Sequence, residues 1–179
     1  MSDTIPIEPA KLSDAAFIAD VYAHYVENGT ATFETEPPGA VEMEDRMRDV
    51  LECGYPWLVA RDDDGSVMGF AYASRFHPRA GYRFSCETTI YVRTGSRRKG
   101  VGSALIEALV TECESRGIRQ AFAVIAGTEP SSVVLHARAG YRPCGTLESV
   151  GRKHGKWIDV FFMQRKLGEG ADTAPPIEP

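Results

Sequence analysis

Apolar residues recur at helical spacing in Ala16, Phe17, Ala19, Val21, Tyr22 and Tyr25, predicting a helix capped by Ser13 and stopped near Asn28-Gly29. Ile5-Pro6-Ile7 ahead of it reads as a short strand. A loop from Thr30 to Gly39 leads to a polar helix from about Val41 to Cys53. Tyr55–Ala60 and Val67–Ala73 are strand-like runs joined at Asp62-Asp63-Asp64-Gly65, which predicts a hairpin. A further strand runs from about Phe84 to Val92. Val101, Ala104, Leu105, Ala108 and Leu109 then mark a helix that ends at Arg116-Gly117. The unbroken apolar run Ala121–Ile125 has the length of a strand buried on both faces. A short helix from Ser132 ends at Gly140, and strands over Tyr141–Gly151 and Lys156–Lys166 meet at Lys153-His154-Gly155. From Gly168 the chain is rich in Gly, Pro and acidic residues and reads as a disordered tail.

At 179 residues the chain is one domain by length, with 43% hydrophobic and 25% charged residues, an ordinary globular composition. A net charge of −5 argues against general nucleic-acid binding. No apolar stretch approaches a membrane span and the first ten residues do not read as a secretory leader, so a cytoplasmic protein is expected. Cys53, Cys86, Cys113 and Cys144 form no CxxC pair and the histidines do not cluster, so no metal is expected.

Local chemistry concentrates in Arg97-Arg98-Lys99-Gly100-Val101-Gly102, between the strand ending at Val92 and the helix starting at Val101. The first N–H groups of a helix lack intrahelical partners and carry partial positive charge. Two glycines and three cations there make a phosphate or pyrophosphate site. The order is wrong for a nucleotide P-loop, because Lys99 precedes its glycine. Leu105 stands where a dinucleotide fingerprint needs a third glycine. Arg-x-x-Gly-x-Gly, on Arg97, Gly100 and Gly102, resembles the GNAT acyltransferases, which hold the coenzyme A pyrophosphate in this loop. The order of elements over about residues 4 to 167 is that of the same fold: α/β, a mixed and mostly antiparallel sheet flanked by helices.

Four further segments are similar to the phosphinothricin acetyltransferase subfamily: Thr32-Phe33-x-Thr35-Glu36-Pro37, Glu87-x-x-Ile90-Tyr91-Val92, Leu135-His136-x-x-x-Gly140-Tyr141 and Lys153-His154-Gly155-x-Trp157-x-Asp159-Val160. The resemblance implies acetyl-CoA as cosubstrate and a small amino-acid-like amine as acceptor. Acetyl transfer needs a base for the amine and an acid for the leaving thiolate. Strand alternation puts Glu87, Thr89 and Tyr91 on one face and Thr88, Ile90 and Val92 on the other, and burial raises a carboxylate towards usefulness as a base. The subfamily gives the matching glutamate that role, and His136 stands where many relatives carry a tyrosine acid.

Coenzyme A is expected along Ile90, Tyr91 and Val92, the loop of Arg97, Arg98, Lys99, Gly100, Val101, Gly102 and Ser103, and Glu129 and Ser132. Glu129 stands where relatives usually have an asparagine that contacts the pantetheine arm. The acceptor is expected among Phe33, Arg75, His77, Pro78, Arg79, Tyr82, Thr88 and Thr89, with His77 at a position where the subfamily usually has a cation. Other acceptors, such as a different small amine or a protein N-terminus, and a non-catalytic coenzyme A module remain open at this level. Related proteins are commonly dimers; Trp157, Phe161 and Phe162 supply either an apolar surface or core.

Overall fold

The computed structural model describes residues 5–177, so the expected domain start at Thr4 and the last two tail residues lie outside the described residues. Seven strands form one mixed sheet: β1 (Ile7–Pro9), β2 (Trp57–Arg61), β3 (Val67–Arg75), β4 (Ser85–Val92), β5 (Gln120–Ala126), β6 (Arg142–Lys153) and β7 (Lys156–Lys166). Their spatial order is β1-β2-β3-β4-β5-β7-β6. β4 and β5 pair in parallel; the other neighbours are antiparallel. Helices α1 (Ala15–Asn28) and α2 (Ala40–Glu52) cover one face, and α3 (Val101–Ser115) with α4 (Pro130–Arg138) lies on the other.

Each face has its own core. Ile18, Tyr22, Met43 and Met47 pack on Trp57, Val59 and Phe70 on one side; Leu105, Leu109 and Cys113 pack on Ala71, Ala73, Cys86 and Ala121 on the other. Each fully buried large aliphatic or aromatic side chain contributes roughly 2 kcal/mol. Small alanines on the α3 face let that helix lie close to the sheet.

Several boundaries differ from expectation for local reasons. The first strand pairs Ile7, Glu8 and Pro9 with Ala60, Val59 and Leu58, two residues later than the run Ile5–Ile7. α1 begins after Asp14 rather than Ser13, because Asp14 is buried, accepts the Lys11 N–H at 2.9 Å and pairs with Arg61 at 2.8 Å. The last helix starts at Pro130, whose missing N–H costs nothing at a helix start. Trp157 is 62% exposed, whereas Phe161 packs against the α3-side core. Residues beyond Leu167 turn back on the domain, where the Gly168 N–H donates to Glu114 and Arg119 to the Gly170 carbonyl, both at 3.1 Å. Among the described residues no helix is long and apolar enough to cross a membrane.

Candidate active site

β4 and β5 pair only where Ser85, Cys86 and Glu87 meet Gln120, Ala121 and Phe122; beyond that the strands part. The Arg93 N–H donates to Met68 of β3 at 2.8 Å. Alternation therefore turns the N–H and C=O groups of Ile90 and Val92 towards the opening. At Val92 the Tyr25 hydroxyl fills both roles, donating to the carbonyl at 2.6 Å and accepting the N–H at 3.3 Å. Ile90 has no strand partner on that side.

The opening leads to the basic turn. Gly100 adopts φ +85°, a left-handed value that favours glycine, and Ala104 N–H to Gly100 carbonyl at 3.0 Å is the first bond of α3. The N–H groups of Val101, Gly102 and Ser103 are thus left without helical acceptors. Arg97, Arg98 and Lys99 are exposed around them, with the Arg97 guanidinium 5.2 Å above the Tyr25 ring. A Cβ on Gly102 would sit 3.2 Å from the Leu135 side chain, so α3 and α4 approach closely here. These donors and cations fit a pyrophosphate. Glu129 caps the start of α4, where its carbonyl accepts the Ser132 N–H at 3.0 Å.

Glu87 stands at the point where the strands begin to part. Among the described residues it has no cation within salt-bridge distance, and burial raises its pKa above the ordinary carboxylate value. Its register partners are Ser74 on β3 and Phe122 on β5. Thr89 shares its face and lies opposite Tyr72. Phe122 stacks on Phe76 at 4.3 Å, and Tyr82 lies 5.9 Å from Phe76 and 4.7 Å from His77, which brings the aromatic part of the 75–83 segment beside Glu87. Pro78 and Arg79 are exposed at its turn, where the Arg79 N–H donates to His77 Nδ1 at 3.3 Å.

Phe33 reaches the site from the loop between α1 and α2. Its ring lies directly on Gly151, where a Cβ would overlap it. The buried Lys153 ammonium donates to the Thr32 carbonyl at 2.9 Å, and Tyr22 joins Thr32 to Glu34 through two 2.8 Å hydrogen bonds. Arg46 grips Glu34 at 2.8 and 3.1 Å. This loop is held by α1, α2 and strand β6.

Two expected acceptor residues lie elsewhere. Arg75 is opposite Cys86 in the ladder, on the α3 face and beside the Tyr55 phenol. Thr88 also faces that side, bonded to the Phe122 carbonyl at 3.1 Å and to the Tyr141 hydroxyl at 3.0 Å. Strand alternation alone removes both from the Glu87 face. His136 is buried behind Thr88, edge-on to Tyr141 with ring centroids 5.0 Å apart. Its Nδ1 is 2.8 Å from the Ser132 carbonyl, which can only accept, so the proton sits on Nδ1 and a neutral ring leaves Nε2 as a lone pair. Nε2 has no partner among the described residues. Burial lowers the pKa, and the Ser132 bond only partly offsets it.

Tyr25, Tyr72, Ser74 and Tyr141 escaped the reading of the sequence. Tyr72 and Ser74 become visible only once β3 is placed next to β4 in register; Tyr25 reads only as an apolar position of the first helix and Tyr141 only as the end of the Leu135–Tyr141 segment, neither with a role at the site.

The family model described as an acetyltransferase (GNAT) domain matches residues 7–162. The chain is 42% identical over 163 residues to the phosphinothricin N-acetyltransferase of Alcaligenes faecalis, covering 90% of this chain and 82% of that protein. It is 34% identical over 161 residues to the L-methionine sulfoximine/L-methionine sulfone acetyltransferase of Pseudomonas aeruginosa, covering 90% and 94%. A solved GNAT superfamily phosphinothricin acetyltransferase from Sinorhizobium meliloti, in complex with acetyl-CoA, superposes with a TM-score of 0.94 at 44% identity over 96% of this chain and 93% of that one. The parted strands, the basic helix start and a match running through nearly the whole sheet lead to one conclusion: the chain belongs to the GNAT acetyltransferase family.

Proposed function

We propose that the protein moves acetyl from acetyl-CoA to the α-amine of a small amino-acid-like acceptor of the phosphinothricin, methionine sulfone or methionine sulfoximine class. The observation that carries this reading is Glu87: a half-buried carboxylate without a cation within salt-bridge distance among the described residues, placed where β4 and β5 part. The pyrophosphate lies on the N–H groups of 101–103 and the cations of 97–99, and the amide arm pairs with the free backbone edge at Ile90. Glu129 and Ser132 border that arm at the start of α4.

The amine nitrogen attacks the thioester carbonyl directly; its new C–N bond forms as the C–S bond breaks. Glu87, directly or through water, takes the ammonium proton that must leave before attack. As the amide forms, the nitrogen sheds a second proton, which balances the one the departing thiolate takes up. His136 supplies one only from its charged form, since the neutral ring presents a lone pair at Nε2; neutral, it accepts a hydrogen bond from the protonated thiol. Phe33, Phe76 and Tyr82 wall the acceptor, and His77 and Arg79 meet its α-carboxylate. Four free cysteines, including buried Cys86 and Cys113 with sulfurs 3.9 Å apart, suit the reducing cytoplasm. The exposed edge strand β6, with Leu147, Val150 and neighbouring Trp157, suits pairing with a second copy of the chain.

The test is free-thiol release from acetyl-CoA over a panel of amines: methionine sulfone, phosphinothricin, polyamines and N-terminal peptides. Release above the enzyme-free rate with the amino-acid analogues supports the reading. Release only with peptides or polyamines moves the acceptor class, and no release with any amine leaves a coenzyme A-binding module.

A further inference from the structure

Below the acceptor face lies a cavity of about 310 Å³ between α2 and the sheet, bordered by Tyr22, Arg46, Asp49, Trp57, Tyr72 and Ser74. Met43 and Phe70 give it apolar walls. Ser74 is the register partner of Glu87, and Tyr72 that of Thr89, so the cavity adjoins the proposed base from below. Trp57 stands opposite Tyr72 on β2, their rings stacked at 4.2 Å. Two strand spacings and two residues of rise separate Glu87 from Trp57, about 12 Å between backbone positions.

The polar groups of this cavity are unevenly satisfied. Trp57 is 3% exposed and its indole N–H has no acceptor among the described residues. A buried donor left unpaired is destabilising, so a ligand that brings an acceptor gains where a purely apolar one does not. Arg46 looks like an anion receptor but is already taken by Glu34 and Glu42. Asp49 has no cation within salt-bridge distance among the described residues. Arg46 faces Glu34 and Glu42, with Lys153 beyond Glu34, while Asp49 lines the cavity and Glu87 lies above it. Burial, with Glu87 adding, pushes the Tyr72 phenol up, which keeps it a neutral donor.

We infer that this cavity is the side-chain subsite of the acceptor, and that it selects an unbranched side chain ending in a neutral hydrogen-bond acceptor, such as a sulfone or sulfoximine, over one ending in an anion. This rests on the transferase reading above and adds the direction of the side chain: the α-carboxylate stays with His77 and Arg79 at the rim, the amine meets Glu87, and the tip passes Ser74 and Tyr72 towards Trp57. An anionic tip would enter a region where carboxylates outnumber cations. A neutral oxygen takes up the indole proton without that repulsion.

The test compares kcat/KM for L-methionine sulfone, L-phosphinothricin and L-norleucine, which offer a neutral acceptor, an anion and no acceptor at the tip. The sulfone is expected to exceed phosphinothricin by about tenfold or more, within the reach of a few polar contacts. Trp57→Phe keeps the stacked ring and removes the N–H; it should lower the sulfone value about fivefold more than the norleucine value. Asp49→Asn, at the rim and outside the cores, should narrow the sulfone-to-phosphinothricin ratio at least about threefold. Equal use of both tips, or a Trp57→Phe loss shared by norleucine, overturns the inference. If no amine releases thiol, the transferase reading falls, and calorimetric titration of the three amino acids in the presence of coenzyme A decides the subsite on the same ratios.

Discussion

Glu87 combines two burdens in one side chain. Its burial holds the pKa above the ordinary value, which suits a base and also opposes folding. The folded state binds the Glu87 proton more tightly than the unfolded chain does. Stability therefore falls as pH rises from the unfolded value to the raised folded value, and stays lower above it. Glu87→Gln should accordingly lower kcat by about 10²-fold or more, most severely at low pH where the amine is hardest to deprotonate. It should also raise the melting temperature at neutral pH, with the gap closing towards the acid range in which wild-type Glu87 is itself protonated. Unchanged rate profiles would remove it as the base; an unchanged melting temperature would mean its burial carries no penalty. At His136 the expectation runs the other way. Because burial lowers its pKa, the charged form that can donate a proton belongs to acid solution, so His136→Asn should reduce kcat more at pH 5.5 than at pH 8. A loss that grows with pH instead would mean that the neutral ring does the work.

At the scale of elements, the start of α3 is the most constrained piece. Gly102 lies 3.2 Å from Leu135 at the position of a missing Cβ, and it follows a left-handed Gly100. Gly102→Arg should abolish binding of coenzyme A to the purified protein, read by calorimetry, while circular dichroism shows the domain still folded; retained affinity would place the pyrophosphate elsewhere. This turn was legible in the sequence because a basic, glycine-bearing strand-to-helix junction has few other uses. So was the alternation of β4, which separates Glu87 and Thr89 from Cys86 and Thr88. The helix starts were less legible. Ser13 is a good cap by type, but it lies inside a 3-10 turn, Leu12–Asp14, that runs into the helix, and the Asp14 carboxylate is engaged by the Lys11 N–H and by Arg61, far along the chain. The 75–83 segment shows the same limit. Its residues read as one cationic cluster, yet Arg75 still belongs to β3 and its place in the ladder turns it to the α3 face. Tyr72, Ser74 and the cavity beneath them arise only from strand register and helix packing, which no local pattern encodes.

At the scale of the whole molecule, the loop that carries Phe33 is held by residues more than a hundred positions away. Lys153 donates to Thr32 and Gly151 receives the Phe33 ring, so the β6–β7 hairpin braces the loop proposed to meet the amine. Lys153→Met would leave the Thr32 carbonyl unpaired, at a cost of about 1–3 kcal/mol. Its kinetic mark should be a raised KM for the amine with an unchanged KM for acetyl-CoA; a shift in both would mean that the hairpin supports the domain generally. Burial lowers the Lys153 pKa, although Glu34 nearby opposes this, so the brace loses its charge at a lower pH than an exposed lysine would.

The parting of β4 and β5 has a consequence for how the protein lives in a cell. Where β4 and β5 part, Ile90 has no strand partner, and a cosubstrate lying along it would extend the sheet's pairing. The melting temperature should then track the concentration of acetyl-CoA, since a ligand at a hundred times its Kd adds about 2.7 kcal/mol. Amide exchange at Ile90 should slow at the same time. The domain becomes a gauge of its own fuel, sturdier when acetyl-CoA is plentiful and quicker to unfold when it runs short.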